Sequence, residues 1–478
     1  MGSLQDLKPR VLLLCSPCMG HLIPFAELAR RLVSDHGLAA TLLFASATPK
    51  PSEQYLAVAA AVPDTIDLVA LPAPPAAAAL PPSASALERA EHAVASSVPR
   101  VRELARALQA AALVVDMVSA AAARGVAAEL GAPLYMFFTS PWMTLSLLLR
   151  LPEIDAAAAA RSGGGEYRDA TEPIRLPGCV PIHAHELPAS MLADRRSDTY
   201  AGFFAMARSI KGVDGILVNT SGEIEPAVGD GMEELPQVHP VGPLVWTRPA
   251  GVDRDGHECM RWLDQQPPRS VVYVSFGSGG TLTWQQTAEL ALGLELSQCR
   301  FVWAVKRPHQ SSTTGAFFGT EKGENISLDF LPEGFIERTR GVGFVTQSWA
   351  PQTAILGHLS VACFVTHCGC GWNSILESVM NGVPMVAWPL YAEQNMNAAM
   401  LEVQVGVAVR AKVGVDRFTS REEVASAIQR VMVGEEAERI RKRASELKDK
   451  LVHALSKDGC STHALAQIAN VWKHAHGK

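Results

Sequence analysis

The chain has little of what marks a membrane, nucleic-acid-binding or disulfide-stapled protein. No apolar run approaches the roughly 20 residues that a bilayer-crossing helix needs. Charge of either sign is modest: 42 Lys and Arg stand against 48 Asp and Glu, a net −6, which argues against general binding to a phosphate backbone. The nine cysteines are odd in number and scattered mostly through apolar runs, the usage of reduced thiols rather than of a disulfide framework. Val11 to Cys15 lacks the basic leader and small-residue cleavage site of a signal peptide and reads as a first strand. Asp6 stands where an N-myristoylation signal has Ser or Thr. The expected state is therefore a cytoplasmic monomer. No internal period suggests a solenoid. The Gly-rich turn Ser275 to Thr281 has no Lys and is no P-loop. No metal is expected, because the one Asp-x-Asp, Asp253-Arg254-Asp255, follows no strand and lies in a linker-like stretch.

What is present is length for two domains and a repeated βα rhythm. At 478 residues, two units of ordinary size each have enough chain for a core. Short apolar runs read as strands at Arg10 to Ser16, Ala40 to Ser46, Ile66 to Leu71, Leu113 to Asp116, Pro133 to Thr139 and Gly215 to Asn219. Helical patterns such as Leu22 to Asp35 and Val98 to Ala112 lie between them, which implies a parallel sheet covered on both faces. Pro72 to Pro82 reads as an irregular excursion and the Ala-then-Gly stretch Ala156 to Gly165 as a loop tip. A second rhythm follows: Ser270 to Ser275, Arg300 to Lys306, Gly343 to Thr346, Val361 to Thr366, Val383 to Trp388 and Val405 to Arg410. Pro308 to Ile326 is polar and Gly-rich, a loop. Glu422 to Leu455 is helix-forming, and Thr462 to His474 is a last amphipathic helix. The fold class is α/β, with an N-terminal domain over 1–246, a Pro/Gly/charge-rich linker over 247–256, a C-terminal domain over 257–455 and a terminal helix over 456–478.

Two constellations carry chemistry. Ser16 to Gly20 turns the end of the first strand into a helix, and His21 sits at that turn, where an imidazole can act as a general base near neutral pH. Asp116 ends another strand on the same edge of the sheet, placed to hold the imidazole. The second constellation runs from Trp349 to Gln394. The apolar strand ending in Thr366 meets a polar, Gly-rich bend, His367-Cys368-Gly369-Cys370-Gly371-Trp372, and then a helix from Asn373. Such a bend aims backbone N–H groups and the helix dipole at one spot, which suits an anion such as a diphosphate. His367 and Ser374 add side-chain donors, Trp349 offers a flat face for a base, and Glu377 accepts from ribose hydroxyls. Glu393 and Gln394 are suited to sugar hydroxyls. Phe137, Phe138 and Trp142 follow a strand end and are candidates for an aromatic acceptor wall, or equally for core. Two bland alternatives exist: Cys15-Ser16-Pro17-Cys18 has the spacing of a redox pair, and His367, Cys368 and Cys370 contain zinc-ligand types at poor tetrahedral spacing.

The run WAPQ, THCG, GWNS, GVPMVAWP and EQ, in that order from Trp349 to Gln394, resembles the donor-binding signature of plant UDP-dependent glycosyltransferases. Within them it is similar to the hydroquinone and monolignol glucosyltransferases, which share Tyr391 to Gln394 and the turn Ser275 to Leu282. The resemblance covers nearly the whole chain. It implies two Rossmann-like domains facing a cleft (GT-B type), with the terminal helix crossing back to the first domain. It implies inverting transfer of glucose from UDP-glucose to a hydroxyl of a small phenolic or other lipophilic acceptor, with His21 and Asp116 as catalytic dyad and no cofactor beyond the co-substrate. It assigns donor contacts to Ser278, Trp349, Ala350, Gln352, His367, Trp372, Asn373, Ser374, Glu377, Glu393 and Gln394. One departure stands out. Cys370-Gly371 are two residues beyond the family's His-Cys-Gly-Trp-Asn-Ser, inside the bend expected to hold the diphosphate. The alternative reading is a nucleotide- or phenol-binding protein whose catalysis that insertion impairs.

Overall fold

Among the described residues of the computed structural model, thirteen short strands pair into two separate, wholly parallel sheets. The structure describes residues 8–78, 80–81, 84–160, 165–231, 236–246, 257–309, 327–347, 350–369, 372–414 and 418–475. The linker stretch 247–256, most of the 308–326 loop, Trp349 and the Cys370-Gly371 pair lie outside them.

The first sheet has the order β3-β2-β1-β4-β5-β6-β7. Its strands are β1 (Arg10–Cys15), β2 (Ala39–Phe44), β3 (Ile66–Ala70), β4 (Ala112–Val115), β5 (Leu134–Phe138), β6 (Gly215–Val218) and β7 (Gln237–Pro240). The second has the order β10-β9-β8-β11-β12-β13, from β8 (Val271–Ser275), β9 (Arg300–Ala304), β10 (Gly343–Thr346), β11 (Val361–Thr366), β12 (Met385–Ala387) and β13 (Ala408–Arg410). In each sheet the order reverses direction next to its first strand, between β1 and β4 and between β8 and β11. Loops at the carboxyl ends of those pairs diverge and leave a crevice, the usual ligand position in open α/β sheets. Register fixes which residues meet there: Leu14 pairs with Val115 and Ser275 with Thr366.

Both faces of the first sheet are dry. Leu12, Leu14, Val115, Met136 and Phe138 point to one core, and Val11, Leu13, Cys15, Val114 and Phe137 to another. That alternation is the period of two expected of a strand, with apolar residues at every position because helices cover both sides. The helix Cys460–Ala475 lies on the second of these cores. Leu465, Ile468, Ala469 and Trp472 are buried there, with Trp472 edge-on to Tyr135 at 5.2 Å. A core side chain of that size is worth about 3–5 kcal/mol on truncation to alanine, so the chain's end is firmly bound to its beginning. Ser461 adds a hydrogen bond from its Oγ to the Gly242 carbonyl, 2.6 Å.

Several elements depart from the sequence expectation. The alanines of 156–159 continue the helix Trp142–Ala159 rather than forming a loop tip, as the highest helix propensity dictates. Strand β7 was invisible as Gln-Val-His-Pro, a half-exposed edge segment ending in proline. The charged stretch 422–455 is two helices, Arg421–Met432 and Gly434–Ala454, parted by extended Val433 and by Gly434 at φ 88°. Met400–Val405 is a π-helical turn, so β13 begins only at Ala408.

Candidate active site

β1 and β4 deliver the first pair of groups. Cys18 starts the helix Met19–Ser34, and His21 lies in its first turn, 8 % exposed. Asp116 directly follows β4 and is 1 % exposed. His21 Nδ1 and Asp116 Oδ2 are 2.8 Å apart. The same carboxylate accepts from the backbone N–H of Ser16 (2.8 Å) and of Ser119 (2.9 Å). Burial pushes this carboxyl upward. The hydrogen bond and charge of His21, with the bonds from Ser16 and Ser119, outweigh it and hold the group below its usual range. An ionised acceptor at Nδ1 fixes the imidazole proton there and leaves Nε2 as the lone-pair nitrogen. The neighbouring thiols are inert by comparison: Cys15 and Cys18 are free, and burial pushes Cys18 up to about 12. That is opposite to the lowered pKa of a redox pair.

β8 and β11 deliver the second set. Gly277 has φ 68°, and a Cβ there would lie 2.4 Å from the His367 ring, so only glycine lets the imidazole lie against the bend. Burial and the nearby Lys306 charge pull His367 down to about 3; it is a neutral ring. From the helix Asn373–Asn381, Ser374 and Glu377 converge on Gln352. The Gln352 amide donates to Ser374 Oγ at 3.0 Å and to Glu377 Oε2 at 2.7 Å. Glu377 is pushed up to about 7 by burial, which the Gln352 hydrogen bond only partly offsets. Gln394 Oε1 accepts from the N–H groups of Leu390 and Tyr391. Ala350 is buried and Ser278 exposed on its bend.

Two contacts join the sets. Asn373 Nδ2 donates to the Gly20 carbonyl at 2.8 Å, one residue before His21. Ser140, just past β5, donates from Oγ to Glu393 Oε1 at 3.2 Å. The stretch 366–397 also holds a concentration of buried polar atoms without a partner among the described residues: Thr366 Oγ1, His367 Nδ1, Trp372 Nε1, Asn373 Oδ1, Gln394 Nε2 and Asn397 Oδ1. Buried polar groups are rarely left so. Such a concentration along one stretch fits a polar ligand with many hydroxyl and phosphate oxygens.

Other expectations are corrected by burial. Phe137, Phe138 and Trp142 are at most 1 % exposed. They lie within the two cores of the first half, the core alternative that the sequence left open. The Trp372 indole is fully buried; its residue acts as the left-handed N-cap of the helix, φ 64°. Cys368 is no ligand, since its thiol is buried and pushed well above its usual range. Cys370 and Trp349 fall outside the described residues, as does Asp253-Arg254-Asp255. His183 and His185 stack on one another in a solvated loop. No cross-domain contact was assigned to Ser140 or Gly20 from the sequence; Ser140 lies two residues past β5 and Gly20 in the first turn of the helix that follows β1.

Comparison with known proteins identifies the family and the fold. Residues 250–458 match the family model "UDP-glucoronosyl and UDP-glucosyl transferase". The chain is 41 % identical to the hydroquinone glucosyltransferase of Rauvolfia serpentina, over 98 % of this chain and 99 % of that one. Phytolacca americana UGT2, solved with UDP-2fluoro-glucose and pterostilbene, superposes with a TM-score of 0.85 at 35 % identity, over 98 % and 99 % of the two chains. A Polygonum tinctorium UDP-glucosyltransferase capable of glucosylating indoxyl, solved with 3,4-dichloroaniline, does so with a TM-score of 0.85 at 38 % identity and the same coverage. Two Rossmann-like domains of GT-B type, with their two crevices brought together, are the shared architecture. On these grounds the chain belongs to the plant UDP-glycosyltransferase family and is a hexosyl-transferring enzyme.

Proposed function

We propose that the enzyme transfers glucose from UDP-glucose to a hydroxyl of a small phenolic acceptor with inversion at the anomeric carbon. His21 Nε2 takes the proton of the acceptor hydroxyl. The oxygen attacks the anomeric carbon, the bond to the diphosphate breaks on the opposite face, and an α-linked donor becomes a β-glucoside. Asp116 balances the imidazolium that forms. His367, Asn373 and Ser374 meet the diphosphate, with Ser278 facing it. Gln352 and Glu377 meet the ribose, Trp349 the uracil, and Glu393 and Gln394 the glucose hydroxyls. The first 246 residues hold the acceptor, 257–455 the donor, and the terminal helix ties the second half to the first. A cytoplasmic monomer is part of the same reading and fits the free thiols of the described cysteines. The relatives named for hydroquinone and solved with pterostilbene or dichloroaniline support flat aromatic acceptors.

The observation that carries the proposal is the hydrogen bond from Asn373 to the Gly20 carbonyl. It sets the start of the donor-side helix against the turn that presents His21. Both ends of the two-residue insertion are anchored. Asn397 Nδ2 donates to the Cys368 carbonyl at 3.0 Å, and Trp372 is locked in the core. This favours a working enzyme over a binding protein with impaired catalysis. The test is transfer from UDP-glucose to a panel of phenols and anilines, with product by chromatography, for the wild type and His21→Ala. The variant is expected to lose about 10²–10⁴-fold in turnover, the range of a positioned general base. Full turnover in the variant overturns the mechanism. No UDP-glucose transfer by the wild type to any panel member favours the binding-protein alternative.

A further inference from the structure

The bend after β8 is gripped from behind by a cation. Lys306 lies two residues past β9, the strand beside β8. Its Nζ donates to the Gly277 carbonyl, to the Ser278 carbonyl at 2.6 Å and to the Gly280 carbonyl at 3.4 Å. Among the described residues no carboxylate forms an ion pair with it; the titratable group that feels its charge is His367. In a trans peptide unit the N–H points opposite to the C=O. With the carbonyls of Gly277, Ser278 and Gly280 turned toward the ammonium, the N–H groups of Ser278, Gly279 and Thr281 face the other way. Among the described residues none of these three has an acceptor in good hydrogen-bonding geometry. The result is a concave row of outward amides with a positive charge behind it, the arrangement that binds anions elsewhere in proteins.

We propose that Lys306 is the positioning residue of the donor diphosphate, locking the 275–281 bend with its amides outward and placing an uncompensated positive charge directly behind them. This deepens the donor-site reading above and rests on it. The lysine reaches the diphosphate through the bend and not by contact. It favours the ground-state donor and, more strongly, the UDP that leaves, because charge accumulates on the β-phosphate as the glycosyl bond breaks. Its desolvation, which pulls it down to about 8, is relieved when an anion arrives on the other side of the bend.

Calorimetric titration of the full chain with UDP and with uridine separates this role from a merely structural one. Lys306→Gln is expected to weaken UDP about ten- to a hundredfold, the range for losing charged hydrogen bonds, and to leave uridine affinity within about twofold. Lys306→Arg is expected to restore most of the loss. Equal UDP affinity in Lys306→Gln and wild type overturns the proposal, as does a parallel loss of UDP and uridine. Should Lys306→Gln not fold, reductive methylation of the wild type decides. UDP is expected to slow modification of Lys306 and uridine to leave it unchanged; equal rates overturn the role. Wild type that binds neither UDP nor UDP-glucose overturns the donor site itself, which is a different failure from a lysine without effect.

Discussion

Replacing Glu377 by glutamine is expected to stabilise the free protein at the expense of nucleotide binding. The carboxyl is 7 % exposed and its one polar side-chain neighbour of note is the Gln352 amide at 2.7 Å. Burial lifts its pKa from 4.5 to about 7, which corresponds to about 3 kcal/mol of differential cost for the charged form. A raised carboxyl pKa means that the folded state binds the proton more tightly than the unfolded chain. Stability therefore falls as pH rises from about 4.5 to about 7 and is flat above that. Glu377→Gln keeps the shape and one acceptor oxygen for Gln352 but never ionises. Its gain should approach about 3 kcal/mol at pH 8 and mostly vanish at pH 5. In melting temperature that is about 2–4 °C per kcal/mol for a domain of this size, readable by thermal denaturation at the two pH values. On the proposed donor placement, UDP titration of the same variant should show weaker binding, because an ionised acceptor for the ribose hydroxyls would be replaced by a neutral one. A melting shift that is the same at pH 5 and pH 8, or a variant less stable than wild type at pH 8, refutes the reasoning. It would mean that the carboxylate is already compensated in the free protein.

Two further perturbations probe the rest of the site. Asp116→Asn turns one of three converging donors against an NH₂ group, since His21, Ser16 and Ser119 all donate to this side chain. Turnover should fall about 10²–10⁴-fold with UDP affinity unchanged by titration, and a turnover within threefold of wild type removes Asp116 from the mechanism. Deleting Cys370-Gly371 restores the family spacing. With both flanks already anchored by Asn397 and Trp372, kcat/KM for UDP-glucose should change less than about tenfold, because the interactions that hold His367 and Asn373 are left in place. A gain of a hundredfold or more would show that the insertion had damaged the diphosphate bend.

Much of this arrangement could be read from residue order. Short apolar runs ending in polar or Gly-rich turns located twelve of the thirteen strands found among the described residues, closely enough to place His21, Asp116, the Ser275–Thr281 bend and His367 at carboxyl edges. What could not be read was direction. Phe137 and Phe138 are neighbours on β5 and therefore point to opposite faces of the sheet, one into each core. In a parallel sheet with helices on both sides, neither face opens onto a crevice, so aromatic type said nothing about a binding wall. Trp372 was unreadable for a related reason: its backbone turns left-handed at φ 64° and its indole is fully buried. Ser140 and Lys306 were missed because each acts on a partner far away in sequence, and no local pattern announces a contact across 253 residues.

Among the described residues some polar atoms of the cleft are already bonded across the two halves and others have no partner, and the difference bears on where donor affinity would arise in the proposed complex. Asn373 and Glu393 hold Gly20 and Ser140. Exchanging such a bond for one to a ligand is close to neutral, because a typical hydrogen bond contributes only about 0.5–1.5 kcal/mol net. Among the described residues His367 Nδ1 and Gln394 Nε2 have no acceptor or donor to surrender, so a ligand that completes them relieves a standing desolvation cost. The halves do not depend on the cleft bonds to stay together. Arg410 on β13 reaches buried Glu186 of the first half at 2.6 Å while also holding Glu402, and Trp472 is fixed in the first half's core. In the proposed reaction Asn373 and Glu393 can thereby switch from protein to sugar and phosphate without loosening the domain pair, while Asp116 holds the His21 imidazole through Nδ1 and leaves Nε2 for the acceptor.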